Sequence, residues 1–294
     1  MMENIYIKNA FGTSILPCQD PYSEDEWARF GLFIGVRFLK EIRSRRYLIP
    51  ALVQNEKEDG SPATLFEEIL EMYAIEKLNE FYPKAGYIGE ESGDLTNQEE
   101  EIVMLLDPID GTRSFLAGFD TYSVTLSILL NNKPLFSLIC SPSTGDIGYR
   151  IGKNRSKLFQ VLGDPNTIKI FELPLLKETG KDLINIHPSV NSGKFIERLY
   201  KKWKKREISL VRSISGSPSL MFLETAKGCG VYINGWGYGE TYPFDIIPGL
   251  HILEGAGGYI LNESKNNVDP WNHSGPFIAG LNRSELEEIL NFLI

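Results

Sequence analysis

Two carboxylates, Asp107 and Asp110, stand in the stretch IVMLLDPIDGTRSF at 102–115. An apolar run stops at Asp107, Pro108 fixes the backbone and removes a donor, and Asp110 follows within one turn. Like charges so close repel unless a cation lies between them. An all-oxygen donor set suits a hard cation such as Mg2+. Gly111 and Thr112 come next, where a short helix is expected to open, and the amides of a helix start suit a phosphate oxygen. Carboxylates, a hard metal and phosphate on one loop point to metal-assisted phosphoryl chemistry. The plainer alternative makes the two aspartates turn formers and Thr112 an N-cap.

Two further places carry acids of the same kind. Glu90 and Glu91 follow a strand-like run in GYIGEES at 86–92, although adjacent acids are also ordinary in a solvated loop. In YPFDIIPGLHILEGAGG at 242–258, Asp245 stands at the start of a helix, with Pro248 in its first turn. Taken alone, Asp245 reads as an N-cap.

These acids need elements to hold them. Residues 24–46 have helical apolar spacing, acidic at the start and basic at the end, which complements the helix dipole. A second helix is expected over 64–82, with Thr64 as N-cap, Glu67 at capping-box spacing and Pro83 as the stop. EIVMLLD reads as a strand buried on both faces and ending at Asp107. TYSVTLSILLNNKPLFSLICSP reads as a hairpin turning at Asn-Asn-Lys-Pro. Past about residue 153 strands and helices alternate again, with no internal repeat or flexible linker. The pattern predicts a layered α/β or α+β fold.

The chain has 294 residues, 42% of them hydrophobic, enough for a large core. Its net charge of −9 argues against nucleic acid or an anionic membrane as the main partner. The basic stretch YKKWKKRE at 200–207, with its tryptophan, has two readings, a nucleic-acid patch and a solvated helix face, and the acidic chain favours the second. Three scattered cysteines suit neither a disulfide framework nor a zinc site. The opening MMENIYIKNA lacks the order of a secretory signal, and no apolar run spans a bilayer, so a cytoplasmic location is expected.

The order of three motifs adds to this. Gly-Glu-Glu-Ser at 89–92, Asp-Pro-Ile-Asp-Gly-Thr at 107–112, and Phe244-Asp245 before a helix ending in Gly-Gly resemble the inositol monophosphatase superfamily. These are Mg2+-dependent, lithium-sensitive phosphatases, and the resemblance runs from EDGSPATLFEEI through EGAGGYI. It implies an αβαβα sandwich, with an N-terminal half at 1–150 and a C-terminal half at 151–294 forming one compact unit. It implies two to three Mg2+ ions, a small phosphorylated metabolite as substrate, and a homodimer.

The resemblance also assigns roles. Glu90 matches a ligand of the first and third metals, Asp107 the bridging ligand, and Ile109 a backbone carbonyl ligand. Asp110 and Asp245 match the ligands of the second metal, facing the substrate. Gly111 and Thr112 match the amides that hold phosphate, and the Thr112 hydroxyl matches the group that orients the attacking water. Gly216 and Ser217 lie where the family has a substrate-facing loop of small residues, and Glu240 is nearest to a substrate-contacting glutamate. Glu67 takes the place of an aspartate that works with the threonine to activate water. It therefore reads either as a catalytic partner or as a capping-box residue. Arg113, in Asp-Gly-Thr-Arg-Ser-Phe, is similar to the histidinol-phosphate phosphatase branch. The expected reaction is hydrolysis of a phosphate monoester without a covalent intermediate. Inositol phosphate, histidinol phosphate, a 3′-phosphonucleotide and a sugar bisphosphate stay open as substrates. A non-catalytic relative that binds metal or ligand is the alternative of another class.

Overall fold

The computed structural model describes residues 7–46, 53–56, 62–96, 100–161, 168–176, 182–187, 193–213, 216–234, 243–273 and 275–293. Two sheets and three helical layers alternate in it. The outer layer is α1 (Glu24–Arg45) with α2 (Leu65–Phe81). Both lie on a large sheet of β3 (Gly86–Gly89), β4 (Gly93–Asp94), β5 (Ile102–Asp110), β6 (Ser123–Leu130), β7 (Lys133–Ser141), β8 (Asp146–Ile151), β9 (Lys157–Gln160) and β10 (Phe171–Glu172). Its strand order is β10-β9-β8-β7-β6-β5-β3-β4, so it continues through residue 172. β1 (Val53–Glu56) and β2 (Pro62–Thr64) form a separate antiparallel pair ahead of α2, and α3 (Thr112–Leu116) is a single turn after β5.

The second sheet holds β11 (Leu183–Ile186), β12 (Leu210–Ser213), β13 (Val231–Asn234), β14 (Tyr259–Asn262) and β15 (Phe277–Gly280) in the order β12-β11-β13-β15-β14. Between the sheets run α5 (Pro218–Ala226) and α6 (Pro243–Gly255). Their Leu220, Phe222, Ile246 and Ile252 join Ile139 of β7, Tyr232 of β13 and Phe277 of β15 in one buried cluster. On the far side, α4 (Gly193–Lys204) and α7 (Arg283–Leu293) pack Leu199, Leu286 and Ile289 against Ile184 and Ile278. The result is the expected α-β-α-β-α sandwich.

Local chemistry explains the element boundaries. α2 starts on a full capping box: the Glu67 amide donates to Thr64 Oγ1, and the Thr64 amide donates back to Glu67 Oε2 at 3.0 Å. The hairpin turns more tightly than Asn-Asn-Lys-Pro suggests. Asn131 and Asn132 both have positive φ, 48° and 63°, and Lys133 and Pro134 already belong to β7. That is the two-residue turn whose twist matches its strands.

β5 runs past Asp107 to Asp110, three residues further than the apolar run predicts. Asp107 pairs with Thr125 and Asp110 with Ser123, so β5 holds one extra residue there. This bulge accommodates Pro108, which has no amide for the ladder. A second correction concerns α6. It begins at Pro243, so Asp245 lies within its first turn rather than at the N-cap, and Pro248 falls in the second turn. Pro248 cannot donate to the carbonyl four residues back, that of Phe244. The Thr125 hydroxyl of β6 donates to that carbonyl instead, at 3.2 Å.

Candidate metal and phosphate site

The bulge at the end of β5 turns two acids toward the middle layer. Asp107 and Asp110 are 1% and 3% exposed. One Asp107 oxygen accepts the Ile109 amide at 2.8 Å, which fixes the turn. Asp110 Oδ2 accepts the Ser217 hydroxyl at 2.5 Å and the Ser219 amide at 2.8 Å. Asp245 arrives from α6, and carboxylate oxygens of Asp107, Asp110 and Asp245 lie within 4.8 Å of one another. The Ser219 hydroxyl donates to the Asp245 carbonyl at 3.1 Å, tying α5 to the start of α6.

This cluster is electrostatically unfavourable without a counter-charge. Burial pushes Asp107 well above the usual carboxylate range, and repulsion from Glu90, Asp110 and Asp245 pushes the same way. Burial also raises Asp110, although hydrogen bonds from Ser217 and Ser219 pull it back. The Tyr232 hydroxyl is buried beneath the acids with no hydrogen-bond partner among the described residues. Burial and then the charges of Asp110 and Asp245 hold it well above the ordinary phenol range. Oxygen donors converging in a largely buried site, with surplus negative charge, fit a hard divalent cation.

Glu90 stands outside that trio but close to it. Its amide donates to the Leu106 carbonyl at 3.3 Å, and its carboxyl hydrogen-bonds to Asp107. The turn that carries it is anchored from below by Glu71, a fully buried acid on α2. Glu71 accepts the Glu91 and Ser92 amides, each at 2.9 Å, and the Ser92 hydroxyl at 2.5 Å. Glu71 belongs to none of the three motifs. The signal available was its spacing, four residues after Glu67 on the same helix face.

Glu67 serves two neighbours at once. Its Oε2 accepts from the Thr64 amide and, at 2.6 Å, from the Thr64 hydroxyl. Its Oε1 accepts the Thr112 hydroxyl at 2.7 Å. Burial pushes its carboxyl up to about 7, against the lowering effect of those hydroxyls. The helix cap and the contact to Thr112 are therefore not alternatives.

Gly111 precedes α3 with φ of 95°, and α3 has no side-chain cap. A Cβ on Gly111 would lie 2.8 Å from the Ser217 amide nitrogen, so only glycine fits this crossing. Gly216, with φ of 131°, lies closer still to its neighbour, a Cβ there falling 2.0 Å from the Thr121 carbonyl oxygen. Ser217 is 1% exposed. It caps α5 through Leu220, meets Ser123 Oγ at 2.7 Å and donates to Asp110. It thus lies behind Asp110. Arg113 is exposed on α3. Ser215 and Glu240 lie outside the described residues.

The pattern of the inositol monophosphatase family matches residues 31–291. The chain belongs to the inositol monophosphatase family. Within that family it is 25% identical over 206 residues to the bifunctional phosphatase IMPL2 of Arabidopsis thaliana, covering 70% of this chain and 56% of that protein. The chain spans about half the length of the first curated relatives it matches. Among solved structures, a staphylococcal inositol monophosphatase in a LiCl-soaked inhibitory complex aligns with TM-score 0.72 and 17% identity, over 93% of this chain and 96% of that one. An IMPase/NADP phosphatase complexed with Mg2+ and phosphate aligns with TM-score 0.67 and 19% identity, over 87% and 92%. At those identities the structural matches establish the fold. The family's relatives are phosphatases, that is, phosphoric monoester hydrolases.

Proposed function

We propose that this family member hydrolyses a small-molecule phosphate monoester with Mg2+, by direct in-line attack of water. The observation that carries the reading is the Thr112–Glu67 hydrogen bond beside the convergent Asp107, Asp110 and Asp245. Asp107, Asp110 and Asp245, with Glu90 and the Ile109 carbonyl, would hold two to three ions. When bound, Mg2+ would acidify water and neutralise phosphate charge. Because Thr112 donates its proton to Glu67, its oxygen is left as an acceptor that can orient an attacking water. Glu67, raised to about 7, is suited to take a proton near neutral pH. The amides of Gly111 and Thr112 offer donors to the phosphate oxygens. Nothing in this scheme needs a cysteine or histidine.

The substrates to test are inositol phosphate, histidinol phosphate, a 3′-phosphonucleotide and a sugar bisphosphate, each with and without Mg2+ and with lithium as inhibitor. Mg2+-dependent phosphate release that lithium suppresses supports the reading. If metal binds by calorimetry but no phosphomonoester turns over, the chain is a non-catalytic binding relative. A cytoplasmic homodimer is proposed with it, and light scattering giving a monomer mass would reject the dimer. The halves 1–150 and 151–294 are proposed to unfold together, which two separate calorimetric transitions would contradict.

A further inference from the structure

The end of α4 breaks the charge balance of the rest of the chain. Between 198 and 206, Arg198, Lys201, Lys202, Lys204, Lys205 and Arg206 are cationic and no residue is acidic, in a chain of net charge −9. Lys201 pairs with Glu197 at 2.7 Å, and Lys202 pairs with Glu207. The side chains of Lys204, Lys205 and Arg206 are exposed and have no ion-pair partner among the described residues. Basic residues in a last helical turn complement the dipole, which accounts for Lys201, Lys202 and Lys204. It does not account for Lys205 and Arg206, which lie beyond the helix.

Two aromatic rings share this corner. Tyr200 and Trp203 are 41% and 42% exposed and meet edge to face, centroids 5.7 Å apart. The Trp203 indole N–H donates to the Ser209 carbonyl, which holds the ring in place. Trp203, Lys204, Arg206, Ile208 and Ser209 line a concavity of about 490 Å³. The shape is a fixed ring with cations at its rim.

We propose that this corner binds single-stranded nucleic acid, with a base stacked on Trp203 and phosphates on Lys204, Lys205 and Arg206. Stacking on an exposed ring with adjacent cations is the general solution for single strands. An anionic membrane fits less well. A membrane-surface helix must expose its apolar face, whereas α4 commits Leu199 to the core against β11 and α7. The corner also lies at the amino end of β12, while the opposite end of that strand leads toward Gly216 and Ser217. Occupying it therefore leaves the metal and phosphate site open.

The test uses the full chain, a fluorescein-labelled 12-mer as single-stranded RNA and as single-stranded DNA, and vesicles containing phosphatidylserine. Binding is expected by anisotropy at low salt, with partial quenching of tryptophan emission. Three phosphate contacts predict roughly eighteen-fold weaker binding between 50 and 200 mM salt. Trp203→Ala should weaken binding about ten-fold. The double change Lys205→Glu with Arg206→Glu should abolish it, with unchanged thermal unfolding because both side chains are solvated and lie beyond the helix. RNA and DNA binding alike supports stacking, and RNA alone would add recognition of the 2′-hydroxyl. No binding at 50 mM salt, binding that survives the charge reversals, or capture by vesicles without capture of either oligonucleotide overturns the proposal.

Discussion

Asp107 and Asp110 reach the site by a different route from Asp245. The first two sit on β5, in the middle of a sheet, where the ladder and a bulge set their directions within four residues of chain. Asp245 comes from another layer, at the start of a helix that follows β13. Its position depends on side chains from elsewhere: Thr125 holds the Phe244 carbonyl and Ser219 holds that of Asp245. One side of the site is built by backbone pairing and the other by side-chain bonds to the carbonyls of a proline-interrupted helix. The strand side should therefore be rigid under perturbation, and the helix side the place where affinity for metal is tuned.

The largest effect is expected on the strand side. Asp107→Asn should lower turnover by roughly 10³-fold, since it removes a charge aimed at the reacting centre. The same change relieves buried repulsion, so without metal its melting temperature should equal or exceed that of the parent. Calorimetry with and without Mg2+ checks both halves, and near-normal turnover would reject the metal assignment. Glu67→Gln comes next, at about 10²-fold in kcat, the lower end of the range for a lost general base. Glutamine still completes a capping box, so thermal stability should hold. A pure capping role would leave kcat intact.

The helix side should respond more gently. Thr125→Val strips the Phe244 carbonyl of its donor, a loss of about 1–3 kcal/mol in stability. It should also raise the Mg2+ needed for half-maximal activity about ten-fold, through a looser Asp245. Pro248→Ala restores a backbone amide for that carbonyl, so Thr125→Val should cost less in the Pro248→Ala background. Equal penalties in both backgrounds would show that the hydroxyl does not stand in for the missing amide.

The smallest effect on activity comes from a pH dependence of stability, also on α6. Burial and then the Arg150 charge push His251 down to about 4. Its Nδ1 meets Ser137 Oγ at 2.9 Å and its Nε2 the Gly152 carbonyl at 2.8 Å, partners suited to a neutral ring. The unfolded chain takes up this proton near 6.5 and the folded chain only near 4. His251 therefore contributes fully above the unfolded value, and the contribution is lost as pH falls between the two, by on the order of 3 kcal/mol. Urea titrations at pH 7 and pH 4.5 measure the loss. His251→Gln should flatten it, and an unchanged slope would exclude His251 as its source.

The strand side was the legible part. Asp-Pro-Ile-Asp-Gly-Thr compresses two acids, a bulge and a helix start into six residues, and such chemistry shows in a linear string. The layered fold was also readable, from strands and helices alternating with distinct periods. What escaped were residues that act across the fold. Glu71 lies 20 residues from the turn it anchors. Thr125 meets Phe244 across 119 residues, and Ser219 reaches Asp245 from another helix. A hydroxyl in a strand pattern looks like any pleated-surface residue until its partner is in view. Ser217 carried the right address, but its burial behind Asp110 could not be told from a loop of small residues alone. The extra residue in β5 is hidden in the sequence because register is a property of two paired strands and not of either alone.

The shared carboxylate of Glu67 makes the first turn of α2 a witness to events at Thr112. A proton gained or lost at Oε1 changes how strongly Oε2 holds the Thr64 amide, since both oxygens belong to one delocalised group. Hydrogen exchange at the Thr64 amide should then track the occupancy and charge of the site from outside it. A backbone amide three residues before Glu67, itself 45 residues upstream of Thr112, becomes a built-in spectator of the chemistry.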